Sequence, residues 1–154
     1  MLKVNRKVEY GLVALKHMFG KPKGQLSTVR EICEHYGTPF DPVAHVLRIL
    51  NAEGVVRSEQ GAHGGYRLEG DLNAISFAQF IQMIEGQLVF IDCMREDGAG
   101  CGIQERCNIV SPMNTVNSKL VDFLQSISVA EMLRSDEGME AEGVASANLA
   151  QPNA

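Results

Sequence analysis

The sequence predicts a mainly α-helical protein with a small β-hairpin wing, in which a winged helix-turn-helix headpiece precedes a long dimerisation helix. Three observations favour this fold. Three amphipathic helical patterns follow one another at the start of the chain, two short strands with a glycine-rich turn come next, and a long apolar stripe lies further on. A chain of 154 residues with 45% hydrophobic residues can bury one ordinary core. One compact domain with appendages is therefore expected.

The first two helical patterns have clear ends. In the stretch VEYGLVALKHMFG, apolar residues recur at helical spacing until Gly20 and Pro22 terminate the pattern. Ser27 or Thr28 can cap the second helix, which ends at Gly37. The apolar stripes consist of Val8, Leu12, Leu15 and Phe19 in the first helix and of Val29, Ile32, Cys33 and Tyr36 in the second.

A third helix and a hairpin complete the predicted headpiece. The helix runs from about Asp41 to Glu53 and stops at Gly54. The segments VVRSEQ and YRLEG then read as strands joined by GAHGG, in which Gly64 and Gly65 are expected at turn positions with positive φ. In this arrangement the helix can enter the major groove of DNA while the hairpin tip contacts the backbone or minor groove. The alternative is a plain three-helix unit that binds a protein partner.

Two more helices are predicted after the hairpin. ISFAQFIQMIEG forms a packed helix that ends at Gly86, and a longer amphipathic helix runs from Pro112 to about Ile127. Its stripe needs a cover, which a second copy of the chain can supply in a two-fold dimer. Packing of the stripe on its own headpiece is the alternative. The segment SVAEML adds a short turn of helix.

These elements divide the chain into four segments. They are the winged DNA-binding headpiece at 1–86, a cysteine loop at 87–110, the dimerisation helix with a short terminal helix at 111–134, and an acidic tail at 135–154 that we expect to be disordered.

Charge is unevenly distributed along the chain. The net charge is −5, but residues 1–70 carry 10 Lys or Arg and 7 Asp or Glu, a balance of +3, whereas residues 71–154 carry 4 and 12, a balance of −8. A mildly basic front half is compatible with a nucleic-acid face, and equally with a solvated helix surface. No signal peptide or membrane-spanning run is recognisable, so a cytoplasmic protein without a membrane partner is expected.

Three of the four cysteines lie close together in the stretch CMREDGAGCGIQERC, as Cys93, Cys101 and Cys107. Structural disulfides are rare in the cytosol, so clustered thiols there favour metal binding or redox chemistry. Three thiolates are one short of a four-ligand site. The spacing C-x7-C-x5-C differs from a zinc ribbon, and thiolates on a glycine-rich loop suit an iron-sulfur cluster. Zinc and a bare thiol sensor are the alternatives.

The motifs VEYGLVAL, GAHGGYRL and ISFAQFIQMIEG, with the three-cysteine loop and the long helix after them, resemble the bacterial transcription regulators that include IscR and NsrR. The resemblance spans residues 1 to about 134. It implies a homodimer that binds palindromic operator DNA and carries an iron-sulfur cluster in each subunit. The cluster would report on iron-sulfur supply, redox state or nitric oxide.

The resemblance also implies a ligand set. IscR-like members have a histidine three residues after the last cysteine, where this chain has Val110, so the chain resembles the NsrR-like branch more closely. In that branch a carboxylate from the first helix of the other subunit completes the site, and the matching residue is Glu9. A 4Fe-4S cluster is favoured and a 2Fe-2S cluster is the alternative. His35, acting with Glu9 and two of the cysteines, is a second candidate ligand. Cys33 is expected to be a packed residue, and His17 and His45 are expected to be helix-surface or groove-facing residues rather than ligands.

The same resemblance assigns the recognition helix to residues 38–48 and the wing to residues 57–67. Gln60 stands where IscR has an arginine, so reading of the minor groove should differ there. The candidate DNA contacts are Thr38, Asp41, His45 and Arg48 on the helix and Arg57, Gln60, His63 and Arg67 on the wing. Arg67 as a plain strand-face charge is the alternative for that residue.

Two other functions remain alternatives to a cluster-sensing regulator. A cluster-free regulator that senses by thiol oxidation keeps the DNA function and changes the switch. The second alternative is an iron-sulfur redox carrier, but in such a protein the winged headpiece would have no role. The sequence contains no glycine-rich phosphate loop, nucleophile elbow or paired catalytic carboxylates, so an enzyme is not expected.

Overall fold

The computed structural model describes residues 5–88, 90 and 106–134. Within these ranges the elements follow the order α1 (Arg6–Phe19), α2 (Val29–Tyr36), α3 (Phe40–Ala52), β1 (Val56–Glu59), β2 (Gly65–Leu68), α4 (Phe77–Glu85), α5 (Val110–Ser126) and α6 (Val129–Arg134). The two strands form an antiparallel hairpin directly after three helices. This confirms the predicted mainly helical, winged helix-turn-helix fold. None of the described helices is long and apolar enough to cross a membrane.

Local sequence signals set the ends of the first two helices. Asn5 caps α1, because its side chain accepts a hydrogen bond from the backbone N–H of Lys7. Thr28 caps α2 in a capping box, in which the Thr28 hydroxyl accepts a hydrogen bond from the Glu31 backbone N–H and the Glu31 carboxylate accepts one from the Thr28 backbone N–H. Gly37 ends α2 in the left-handed conformation with φ of 64°. The predicted cap at Thr28 and the stop at Gly37 are both observed.

Helix α1 packs against α3 and α4 at the centre of the headpiece. Gly11 makes this close approach feasible, since a Cβ there would lie 2.8 Å from Cζ of Phe80 and 3.2 Å from Cγ1 of Val46. Both of those side chains are almost completely buried. The core consists chiefly of Val8, Leu15, Ile32, Val43, Val46, Leu47, Leu50, Val55, Val56 and Phe80, each at most 1% exposed.

The hairpin is fastened to the segment between α1 and α2. Ser27 forms an isolated antiparallel bridge with Tyr66, with N–H to carbonyl distances of 2.8 Å in both directions. The strands pair from Val56 opposite Leu68 to Glu59 opposite Gly65. Because side chains alternate along a strand, Val56 and Leu68 point to the core and the odd-numbered residues point away from it.

The two glycines at the end of the wing turn have a different role from the one expected. We expected positive φ at Gly64 and Gly65, but in this turn it occurs at Gly61, with φ of 123°. The other two glycines are required by close approach of backbone. A Cβ at Gly65 would lie 2.7 Å from the carbonyl oxygen of Ser27, and one at Gly64 would lie 2.3 Å from that of Glu59.

Helix α5 begins at Val110, two residues before the expected Pro112, and α6 follows it after a short break. The backbone N–H of Phe77 donates to the carbonyl of Ile127 at 2.8 Å, and that of Val129 donates to the carbonyl of Ile75 at 2.9 Å. Helix α6 then closes the core against α1. Its buried residues are Val129, Ala130 and Leu133. The expected acidic tail at 135–154 lies outside the described residues.

The contact between Gly65 and Ser27 generates a stability prediction. Gly65→Ala should lower the free energy of unfolding by about 2 kcal/mol, because the added methyl group meets backbone that cannot move without breaking the Ser27 to Tyr66 bridge. Urea denaturation measures the change. Gly20→Ala is the matched control. Gly20 has φ of −75°, and a Cβ added there would lie no closer than 3.7 Å to its nearest neighbouring atom. Equal stability of the two variants would contradict the conclusion that the Ser27 backbone requires a glycine at position 65.

Candidate functional site

The exposed side of α3 carries three of the predicted DNA-contact residues. Asp41, His45 and Arg48 are all exposed, and their spacing of four and three residues places them on one face of the helix. The opposite face anchors α3 in the core through Val43, Val46, Leu47 and Leu50. This arrangement leaves a polar face free along a helix that is rigidly held from behind.

The start of α3 differs from the expected contact surface. The hydroxyl of Thr38 is buried and has no hydrogen-bond partner among the described residues, so it is not part of the exposed face. Phe40 is instead 53% exposed at the first residue of the helix. This exposure could not be predicted from the sequence, because the spacing from Phe40 to Val43 and Leu47 is that of the buried stripe.

The wing presents two kinds of predicted contact residue. Gln60 and His63 are exposed at the turn between the strands. Arg57 and Arg67 lie directly opposite each other in the strand register, on the face that points away from the core. Both arginines are engaged in ion pairs with carboxylates of the hairpin, and the Arg67 side chain is only 29% exposed. Arg67 is therefore a strand-face charge in this conformation.

The predicted cluster ligands fall only partly within the described residues. Glu9 is exposed in the first turn of α1, and Cys107 is a free, partly buried thiol three residues before α5 begins at Val110. Cys93 and Cys101 lie outside the described residues. Within the described ranges, no group of three or more His, Cys, Asp or Glu side chains is arranged to hold a metal ion.

The donor set itself fits an iron-sulfur cluster. Thiolates are the ligands that such clusters select. Cys107 is a free cysteine, so its sulfur is not held in a disulfide. The Glu9 carboxylate is exposed in the first turn of α1, and carboxylate oxygen is a possible fourth ligand for iron. These two residues meet the chemical requirement, and the remaining thiols are those outside the described part of the chain.

Helix α2 carries the other candidate ligands. Cys33 is partly buried and packs against the core, as expected for a structural thiol. His35 is exposed at the end of α2 and stacks edge-on against Tyr36, with 4.5 Å between ring centroids. His17 is less exposed than a residue on an open helix surface would be. Its side chain is 11% exposed, and Nε2 lies 3.0 Å from Oε1 of Glu31 because α1 and α2 pack together here.

Glu31 joins α1 to α2 through a charged hydrogen-bond network. Its pKa is held at about 2, chiefly by the hydrogen bond from Lys21 and further by those from His17 and the backbone of Thr28. Lys21 follows α1 and Glu31 lies in the first turn of α2. The network therefore fixes the helix that carries Glu9 relative to the first helix of the helix-turn-helix.

Part of the predicted stripe of helix α5 is exposed. The helix has no buried residue, and Val116 and Phe123 on the stripe are 48% and 61% exposed. Leu124 belongs to the same stripe but packs against the core. Asn117 also joins α5 to the rest of the chain, since its Oδ1 accepts a hydrogen bond from the Phe90 backbone at 3.2 Å. The stripe is thus divided between contact with its own headpiece and an exposed part that includes Val116 and Phe123.

The recognition helix, the hairpin beside it and the separate long helix define the class of winged helix-turn-helix transcription regulators. A model of the Rrf2 family, described as iron-dependent transcriptional regulators, matches residues 4–135, and the chain belongs to this family. The family resemblance expected from the sequence is therefore confirmed. Members of this family are transcription regulators that bind DNA. The prediction that the chain is a regulator and not an enzyme is therefore confirmed.

Individual relatives are distant and cover most of the chain. The HTH-type transcriptional regulator NsrR of Shouchella clausii (strain KSM-K16) is 20% identical over 133 residues, which is 86% of this chain and 89% of that protein. The structure is similar to T. potens IscR, with a TM-score of 0.63, 27% identity, and coverage of 92% of this chain and 94% of that one. It is also similar to CymR, the global cysteine regulator of B. subtilis, with a TM-score of 0.65, 20% identity, and coverage of 86% and 97%.

The Glu31 network generates a prediction about pH. The folded-state pKa of about 2 lies below the ordinary 4.5, so Glu31 stabilises the fold above about pH 5, and this contribution is lost as the pH falls towards 2. Glu31→Gln should cost about 1 kcal/mol at pH 7, a value reduced by solvent screening because the side chain is 42% exposed. Urea denaturation across this pH range should show the difference from wild type disappearing. Glu53→Gln, at an exposed carboxylate, should show no such trend.

Proposed function

We propose that this chain is a homodimeric transcription regulator whose affinity for operator DNA is switched by an iron-sulfur cluster. The cluster would be held by Cys93, Cys101 and Cys107, with Glu9 donated across the dimer, and His35 is the alternative additional ligand. The observation that carries the DNA-binding part is the exposed polar face of α3 beside the hairpin, in a chain of the Rrf2 family. A bound cluster would supply an iron centre that reacts to oxidation state, nitric oxide or iron-sulfur supply.

Helix α3 and the wing would contact different parts of the DNA. Asp41, His45 and Arg48 are placed to reach base edges or phosphates in the major groove, because they share the exposed face of a helix that is anchored from behind. Gln60 and His63 at the hairpin turn would contact the backbone or minor groove. We assign this activity to residues 1–86, and cluster binding to residues 87–110.

Dimerisation through α5 would give the two-fold symmetry that a palindromic operator requires. The part of the stripe that includes Val116 and Phe123 is exposed in the single chain, and a second copy of the same helix would bury it. We assign this role to residues 111–134. Within that segment α6 also belongs to the headpiece core. In a dimer formed through α5, each DNA-binding headpiece would therefore be attached directly to the dimer interface.

Ligand donation by Glu9 would connect the cluster to DNA binding. Glu9 lies on α1, which packs against α3 and is tied to α2 by the Glu31 network. A carboxylate oxygen is a hard ligand among soft thiolates, so its bond to iron should be the easiest to displace. Loss of that bond would free α1 of one subunit from the cysteine loop of the other, and the orientation of the headpiece would change with it.

A cluster-free regulator that senses by thiol oxidation is the second candidate. The observation that favours it is the free thiol of Cys107, together with the structural similarity to a protein described as a global cysteine regulator. Both candidates predict specific duplex binding with steep salt dependence. They differ in iron and sulfide content after anaerobic purification, which is close to zero for a thiol sensor.

The ligand assignment predicts opposite effects for two substitutions. Glu9→Ala should leave the fold intact, loosen or abolish the cluster and shift operator affinity, because Glu9 is exposed and supports no core contact. Cys33→Ala should leave the cluster spectrum unchanged, because Cys33 packs against the core. Anaerobic visible spectra with iron and sulfide counts measure both. If Cys33→Ala bleaches the protein and Glu9→Ala does not, the assignment is wrong, and a colourless wild type that still recognises its promoter would favour the thiol sensor.

The exposed stripe of α5 predicts a change in oligomeric state. Phe123→Glu should convert the dimer to a monomer, because a charge replaces an apolar side chain that only a second copy would bury. Light scattering after size-exclusion chromatography measures the mass. Operator affinity should fall by more than about tenfold with the loss of bivalent binding. Gln125→Glu introduces the same charge two residues away and should remain dimeric, and an unchanged mass for Phe123→Glu would contradict the interface.

A further inference from the structure

The outer face of the hairpin carries a set of four charged side chains that we term the wing quartet, formed by Arg57, Glu59, Arg67 and Glu69. The first three alternate along β1 and β2 on the face that points away from the core, and Glu69 continues the alternation just beyond β2. Arg57 pairs directly opposite Arg67 in the register. Like charges in directly opposed positions repel, so the two arginines require compensation.

The two glutamates supply that compensation. Nη1 of Arg67 donates to Oε1 of Glu59, and Nε of Arg67 lies 3.5 Å from Oε2 of Glu69. Arg57 Nη1 lies 3.5 Å from Oε1 of Glu69, which therefore bridges both arginines. The side chains of Arg67 and Arg57 are 29% and 63% exposed, so Arg67 is the more tightly held of the two. The quartet carries two positive and two negative charges and is neutral as a whole.

The quartet competes with DNA for the same hydrogen-bond donors. A guanidinium binds a phosphate through the N–H groups that also bind a carboxylate, and the geometry of the two acceptors is similar. Two of the nitrogens of Arg67 already face carboxylate oxygens of Glu59 and Glu69. A DNA phosphate can engage Arg67 only if it displaces a carboxylate, and that carboxylate would then repel the same DNA backbone.

We propose that Glu59 and Glu69 are specificity-determining residues of the wing, which act by holding Arg67 along the hairpin and away from the backbone of arbitrary DNA. This inference rests on the proposed DNA-binding function. Non-specific affinity arises almost entirely from phosphate contacts, so masking an arginine lowers it for every sequence. Contacts from α3 to the correct bases hold the wing against the operator long enough for the exchange of carboxylate for phosphate, so operator affinity is reduced less.

The test uses full-length protein purified without oxygen and two fluorescent DNA probes. One probe is a mixed-sequence duplex, and the other is an operator fragment selected by the wild type from a randomised pool. The test variant combines Glu59→Gln with Glu69→Gln, and a further variant adds Arg67→Gln to these two changes. The matched control combines Glu34→Gln with Glu53→Gln, which removes the same two charges from exposed headpiece positions outside the quartet.

The variant that combines Glu59→Gln with Glu69→Gln should bind the mixed-sequence duplex about tenfold more tightly than the wild type. Its slope of log affinity against log salt concentration should steepen by about 1, because one more arginine contacts phosphate. Affinity for the operator should rise less, so the ratio of specific to non-specific affinity should fall. Addition of Arg67→Gln should remove most of the gain. Circular dichroism and thermal unfolding of each variant verify that the headpiece remains folded.

Three results would overturn the proposal. An equal gain in the control variant would show a general charge effect, and a gain that survives Arg67→Gln would show that this arginine is not the group released. Unchanged binding of the quartet variant, with a wild type that binds its operator, would overturn the role of the glutamates and leave the proposed function standing. A wild type that binds neither probe, with or without its cluster, would overturn the proposed function itself.

Discussion

Backbone pairing between the segment after the wing and the segment after α5 joins the long helix to the headpiece. Phe77 and Val129 donate hydrogen bonds across it, and Ala130 donates to the carbonyl of Leu72 at 3.0 Å. These bonds lead α6 into the core behind α1. Because the break between α5 and α6 is only two residues long, the C-terminal end of the long helix is fixed to the headpiece. A dimer formed through α5 must therefore set the separation of the two recognition helices.

In the proposed regulator, helix α1 would be the element that connects the cysteine loop to the DNA-binding face. Its buried side packs on α3, and its end is held by Lys16, which donates to the carbonyl of Leu133 in α6. Its exposed side carries Glu9. If Glu9 acts as a ligand as proposed, its bond would pull on a helix whose inner face is continuous with the core. A rigidly packed interior transmits such a displacement because it has few empty spaces to absorb it.

Much of this fold could be predicted from sequence because its signals are local. The capping residue Thr28 and the left-handed glycine Gly37 act within a few residues of their own position. Among the described residues, helical periodicity correctly identified the helices α1 to α5. The roles of Gly65 and His17 could not be predicted in this way. Gly65 is required by the backbone of Ser27, far away in sequence, and the His17 side chain is only 11% exposed because α2 packs over it. Such residues are determined by neighbours that only the tertiary structure brings together. The cluster ligands Cys93 and Cys101 were assigned from thiol chemistry and family resemblance, and that assignment remains a prediction.

The local arrangement of charge matters more for DNA recognition here than the total. The chain is acidic overall, and the front half has an excess of only three positive charges. The wing adds nothing to that excess while its arginines are paired with glutamates. In the proposed dimer, non-specific attraction to DNA would then be weak, and affinity would have to come from contacts that depend on sequence and on the spacing of two headpieces. A regulator that senses a signal would gain from this balance, because a small change in headpiece orientation can remove most of the binding free energy only when a strong, orientation-independent attraction is absent.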